Sequence, residues 1–248
     1  MERTRRRTVS MSRRGDVTTL TLGLAGGRLD HGAHAALVAA CGEIDLEEDV
    51  RVVVLRGRGR DFCLGNDQGV GPDAPDGIAA VGRLRVPCVA VLNGDALDAG
   101  LELALACDLR IAASDVRLGL TQPACGALPF HGGTQRLPRI VGAARAARML
   151  LLGDTVSARQ GLEAGLLQAA PPRARLSREA ARWVRTLADR APVAQRLAKE
   201  TLRAAADLPL AEGLRLEGDL YVLLHTTRDR DEGIASFHAK RRARFEGR

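Results

Sequence analysis

Residues 86–108 read Val-Pro-Cys-Val-Ala-Val-Leu-Asn-Gly-Asp-Ala-Leu-Asp-Ala-Gly-Leu-Glu-Leu-Ala-Leu-Ala-Cys-Asp. A short apolar run stops at Asn93-Gly94, a turn pair, and a second begins after Asp98. The pattern predicts a buried strand, a turn and a helix over 99–107. That helix is apolar all round, so it belongs inside a core rather than on its surface. Asp98 reads as its N-cap, with a side chain that accepts from first-turn amides. One charge, Glu102, interrupts the apolar run. A carboxylate there is costly unless it is paired, protonated or used. Glu102 is therefore the first candidate for chemistry.

Working outward, 17–22 alternates Val, Thr and Leu as a strand does, and Gly26-Gly27 turns the chain. Residues 34–44 have helical spacing, and 51–55 are a dense apolar strand. Residues 57–65 read as a loop, 71–77 as a mobile stretch rich in Pro, Gly and Asp, and 78–84 as a short helix. Beyond the central segment, 109–112 and 116–120 read as strands. Strand, helix and strand with short turns predict parallel pairing in a layered α/β architecture. From Gly132 the pattern is helical: 133–141, 143–152, 158–164, 177–190, 192–205, 210–226 and 230–245. Ser177 with Glu179 marks the start of the fourth of these.

The chain has 248 residues, 46% hydrophobic and 27% charged, which suits a soluble globular protein with a real core. Aromatic residues are only 2%, which counts against single-stranded nucleic-acid binding and its stacking platforms. The formal charge of +7 gathers at the ends. Arg3, Arg5, Arg6, Arg7, Arg13 and Arg14 lie at one, and Lys240, Arg241, Arg242, Arg244 and Arg248 at the other. Such charge suits anionic partners, with a solvated tail as the plainer reading. Met11 offers an alternative start. Cys41, Cys63, Cys88, Cys107 and Cys125 lack metal-ligand spacing and read as free thiols of a reducing cytoplasm. No apolar run reaches membrane-spanning length.

Four motifs carry a resemblance. Asn93-Gly94-x-Ala96-Leu97-x-x-Gly100-x-Glu102-Leu103-Ala104-x-Ala106-Cys107-Asp108 resembles the signature of the crotonase (enoyl-CoA hydratase/isomerase) superfamily. So does Gly132-Gly133-Thr134-Gln135-Arg136-Leu137-Pro138-Arg139 with Val141-Gly142. Phe62-Cys63-Leu64-Gly65-Asn66-Asp67 matches the family's Phe-x-x-Gly-x-Asp loop, and Arg230-Asp231-Glu232-Gly233-Ile234-Ala235-Ser236-Phe237 with Lys240-Arg241 matches its tail. The four occur in order across 16–248, so the joint signal exceeds any one of them.

The resemblance implies an α/β fold, a crotonase-like spiral of ββα turns with a helical C-terminal region. It divides 16–248 into a spiral core at 16–190 and a helical trimerisation region at 191–248, and the arginine-rich start at 1–15 reads as a basic, disordered tail. Homotrimers, often paired as hexamers, are implied. The implied substrate is an acyl-CoA or acyl-carrier thioester, with coenzyme A as part of the substrate and no separate cofactor or metal. The implied device is an oxyanion hole of two backbone amides, by motif position those of Leu64 and Ala99. Ala99 would stand at the first turn of a buried helix, where free N–H groups meet negative charge.

Departures from the family pattern shape the functional reading. Glu102 matches the first of the hydratases' two glutamates, whereas Gln122 occupies the second position. An amide positions a water or substrate but does not exchange its proton at useful rates. Pro129-Phe130-His131-Gly132-Gly133 stands where the family reads Pro-Gly-x-Gly-Gly. Phe130 should narrow the pocket. His131 either dresses a helix entrance or moves protons. Asp98 falls in a stretch that is usually all glycine. Asp108 ends a helix, where the dipole disfavours it, and calls for backbone amides or a nearby arginine. Cys125 reads as packed. Tyr221, Phe237 and Lys240 lie on helices that in the family cover the acyl pocket. The leading expectation is an enoyl-CoA hydratase with Glu102 as acid/base. The alternatives are an isomerase, a biosynthetic enzyme on carrier-bound acyl chains, and a non-catalytic or RNA-binding member of the fold.

Overall fold

A computed structural model describes residues 8–248. It opens with two strands, β1 (Val9–Arg14) and β2 (Val17–Leu22), paired antiparallel about Gly15. Over 9–14 this corrects the disordered tail expected at 1–15. Only Val9 of β1 is buried, and Arg13 and Arg14 face solvent, so no hydrophobic period announces the strand. Arg3, Arg5, Arg6 and Arg7 lie outside the described residues.

The chain then repeats one unit. From β2 it passes Leu29 into α1 (His31–Leu46), whose N-cap Asp30 accepts from Ala33 N–H at 2.6 Å. It returns as β3 (Val52–Gly57) and leads through a long loop to α2 (Gly77–Arg83), capped by Asp76. It returns again as β4 (Cys88–Leu92), passes the short β5 (Ala96–Leu97) and enters α3 (Ala99–Ala106). β6 (Leu109–Ala112) and β7 (Arg117–Gly119) follow.

The strands fall into two sheets. One has the order β1-β2-β3-β4-β6 and is parallel from β2 onward. The other joins β5 and β7 to β8 (Val156–Ser157). Parallel bridges from Leu29 to Asn66 and from Cys63 to Ala96 extend this second layer. Each turn thus lays one strand in the first sheet, one extended piece in the second, then a helix, as the ββα spiral requires. Neighbouring turns touch closely. A Cβ at Gly100 would lie 2.0 Å from the Cys63 carbonyl oxygen, so the start of α3 sits hard against the 63–65 loop.

Downstream come α4 (Gly133–Val141), α5 (Ala143–Leu151), α6 (Ala158–Glu163) and α7 (Arg173–Ala188). The last three helices are α8 (Pro192–Ala204), α9 (Leu210–Leu224) and α10 (Arg228–His238). α7 begins before the expected Ser177 start, and α10 stops at His238 rather than 245. The core is Leu, Val and Ala. Phe62 is the one buried Phe, Tyr or Trp side chain among the described residues, and Trp183 packs half-buried against the core from α7. α8 is tied to the spiral by Lys199, which donates to Val86 O at 2.6 Å and to the Asp108 carboxylate at 2.5 Å. α9 buries no residue, and Leu202, Leu210, Leu214, Val222 and Phe237 are between 57% and 81% exposed.

Candidate active site

Glu102 stands in the first turn of α3 and is 1% exposed. Its Oε1 accepts the N–H groups of His131 at 2.9 Å and Gly133 at 2.8 Å. Its Oε2 accepts from Gln122 Nε2 at 3.3 Å. Burial pushes its acid up to about 7, against the pull of those two amides and of the Arg136 charge. Among the described residues no cation comes within ion-pair distance of it. The carboxylate is therefore held by neutral donors and free to exchange a proton near neutral pH. Gln122 Oε1 is buried with no hydrogen-bond partner among the described residues. An unpartnered acceptor beside a titrating acid is where a ligand's O–H would dock.

Asp98 precedes α3 with φ 52° and ψ −123°, and its side chain caps nothing in that helix. This corrects the expected N-cap. The unusual backbone departs from the extended conformation of a capping residue. Oδ1 instead accepts Thr121 N–H at 2.6 Å and Thr121 Oγ1–H at 2.9 Å, fastening the start of α3 to the chain leaving β7.

The two backbone donors need a similar correction. Leu64 N–H donates to Gly27 O at 2.7 Å and is spent. The Asn66 and Ala99 N–H groups have no acceptor among the described residues. Asn66 follows Gly65 and Ala99 follows Asp98, and a Cβ on Gly65 would lie 3.3 Å from Asp98 Cβ. The free amides thus occupy equivalent steps of adjacent turns, one at the entry to α3 with its positive dipole end. The free amide in the 62–67 loop near Ala99 is therefore that of Asn66, whereas the Leu64 amide is occupied.

A chain of polar side chains adjoins them. His34 Nε2–H donates to Asn66 Oδ1 at 3.1 Å, and Asn66 Nδ2–H donates to His131 Nε2 at 3.0 Å. His131 Nδ1–H donates to Asp76 Oδ1 at 3.0 Å. His131 is expected in the sequence as a site residue, whereas Asn66 falls at a variable position of the 62–67 motif and His34 and Asp76 lie in no motif. Burial holds the His131 imidazolium below its usual range.

Other expected residues are placed differently. Phe130 is half-exposed and lays its ring on His131, with centroids 4.1 Å apart. Phe237 and Tyr221 are exposed on α10 and α9, with their rings edge-on to His238 and His225. Cys125 is exposed rather than packed. Asp108 accepts Cys88 N–H at 2.7 Å as well as Lys199. Arg110, in the next turn, donates instead to Cys107 O at 2.7 Å and Leu166 O at 2.8 Å.

Comparison with known proteins matches residues 29–248 to the family model described as enoyl-CoA hydratase/isomerase. The chain is 32% identical to an (E)-benzylidenesuccinyl-CoA hydratase of Thauera aromatica, over 97% of this chain and 98% of that one. It is 34% identical to a 2,3-dehydroadipyl-CoA hydratase of Escherichia coli, over 96% and 98%. Among solved structures, an enoyl-CoA hydratase from Bacillus anthracis superposes with a TM-score of 0.92 at 32% identity, covering 97% of this chain and 100% of that one.

Proposed function

The chain belongs to the enoyl-CoA hydratase/isomerase family, and from that premise we propose that it adds water across the double bond of a 2-enoyl-CoA, or removes it in reverse. The thioester carbonyl lies between the N–H groups of Asn66 and Ala99. Donors fixed in a dry site contribute about 3–4 kcal/mol each to such a barrier. Glu102, as carboxylate, takes a proton from a water whose other hydrogen faces Gln122 Oε1. The hydroxyl bonds to Cβ, and the displaced electron pair moves onto the thioester oxygen as an enolate. When the enolate collapses, Cα takes the proton from Glu102, which returns to its starting state. One acid/base serves both ends, so hydrogen and hydroxyl add to the same face. The observation that carries this reading is a buried acid brought to about 7 next to two unspent amides and an orphaned acceptor.

The absence of a second carboxylate at Gln122 favours a second reading. The same Glu102 would move a proton between Cγ and Cα and shift the double bond. One experiment separates the two. Purified protein is given crotonyl-CoA, 2,3-dehydroadipyl-CoA and an aromatic 2-enoyl-CoA, with a 3-enoyl-CoA as the isomerase substrate. Loss of the conjugated enoyl absorbance is the expected outcome, and Glu102→Gln should lower it by about 10²–10⁴-fold. Conversion of the 3-enoyl substrate alone would select isomerisation. Turnover of all substrates unchanged in Glu102→Gln would reject both.

The exposed apolar side chains of α8, α9 and α10 support a homotrimer, with trimers pairing into hexamers. No helix of the described residues is long and apolar enough to cross a membrane. Four buried free thiols favour a reducing compartment, and we assign the cytoplasm.

A further inference from the structure

The side chains around Asn66 form a connected run that the reaction itself does not use. Gly77 N–H donates to His34 Nδ1 at 3.3 Å, so that nitrogen is unprotonated and Nε2 carries the hydrogen. His34 Nε2–H reaches Asn66 Oδ1, Asn66 Nδ2–H reaches His131 Nε2, and His131 Nδ1–H reaches Asp76 Oδ1. Asp76 Oδ1 also accepts Ala79 N–H at 2.9 Å, which anchors the run to the start of α2. Every donor points the same way and every ring nitrogen is engaged. The two imidazoles stack with centroids 4.9 Å apart and are 0% and 5% exposed. His131 therefore has no free nitrogen with which to shuttle a proton.

Its engagement has a different consequence. Asn66 is gripped from both sides by its side chain, while its own N–H stays unspent. His131 grips Asn66 through its ring and Glu102 through its main-chain N–H, and Arg136 Nη1 holds the His131 carbonyl at 2.7 Å. One residue thus bridges the amide donor and the acid/base, beside the contact of α3 with the 63–65 loop at Gly100. The main chain on either side of Asn66 is bridged to Leu29, whose N–H donates to Gly65 O at 2.9 Å and whose carbonyl accepts Asp67 N–H at 2.8 Å. On the side where the Asn66 side chain projects, the imidazole run is what holds it, since the Arg28 side chain that meets Asn66 O is exposed. We propose that Asp76, His131 and His34 are positioning residues that hold the Asn66 N–H against the acyl carbonyl through the Asn66 side chain. The inference rests on the reading of Asn66 and Ala99 as the carbonyl donors.

The test reads carbonyl polarisation without turnover. Two probes are titrated: 4-dimethylaminocinnamoyl-CoA, whose absorption moves to longer wavelength when its thioester oxygen is hydrogen-bonded, and carbonyl-labelled butyryl-CoA, whose C=O stretch falls in frequency. The second is small and cannot be hydrated. The variants are His131→Ala, His131→Gln and Asn66→Ala. Asn66→Ala keeps the backbone donor and leaves both imidazoles in place, which guards against a His131→Ala protein that does not fold. The wild-type protein should show both shifts. His131→Ala and Asn66→Ala should bind within about threefold of wild type and lose at least half of each shift. His131→Gln should regain much of it, because its amide offers an acceptor to Asn66 and a donor to Asp76. Full shifts in both Ala variants would overturn the clamp and leave the donor assignment standing. Absence of either shift in the wild-type protein would overturn the donor assignment and the clamp together.

Discussion

Glu102 is folded at a cost. Burial raises its pKa from 4.5 to about 7, so between those values the native chain holds a proton that the unfolded chain has released. Its contribution is neutral below the lower value and becomes destabilising as pH rises through the window. At about 1.4 kcal/mol per pH unit, the deficit reaches about 3 kcal/mol above 7. Glu102→Gln should therefore raise the urea midpoint at about pH 8 and change it little at about pH 4. Turnover should move the other way, since the base form is required: the wild-type rate should rise with pH and reach half its limit near 7. A stabilised but inactive variant is the expected combination, read by urea unfolding and enoyl absorbance on one preparation. Glu102 was legible because a lone charge in an apolar run is a conspicuous expense. Asn66 was not, because its contribution is a peptide N–H, which any residue but proline supplies. Only the occupied Leu64 amide reveals which step of the loop is free.

At the scale of elements, α3 is the piece that must not move. Gly100 is pressed on Cys63 O, and a methyl group there has no room. Gly100→Ala should force α3 away from the 63–65 loop, separating the Ala99 and Asn66 amides. A stability loss of about 1–3 kcal/mol is expected, measured by denaturant unfolding, with activity falling further than stability. The strands β2, β3, β4 and β6, and nearly every helix, follow from period and composition. The exceptions have physical causes. β1 has one buried side chain, and β5 and β8 are two residues long, so no period exists to be read. Ser177 lies inside α7 because Pro172 already admits a helix at the next position, ahead of the apparent capping pair. Asp98 fails as a cap because its backbone turns away from the extended conformation that a cap needs.

For the molecule as a whole, the spiral places its chemistry where adjacent turns meet, while α8, α9 and α10 leave apolar side chains in solvent. Leu214→Glu with Val222→Glu puts charge on that surface and should convert the proposed homotrimer to monomers, as read by light scattering. The C-terminal segment is nonetheless tied to the spiral. Asp229 accepts Glu246 N–H at 2.6 Å and Gly247 N–H at 2.9 Å, and Arg51 donates to Phe245 O at 2.6 Å. The single tryptophan, Trp183, rests half-buried on α7 where that helix meets the core. It makes the protein its own optical probe: intrinsic emission reports the undocking of one helix, while circular dichroism reports the melting of all. Coincident curves in urea would mean that the α7 seam and the spiral yield together as one cooperative body.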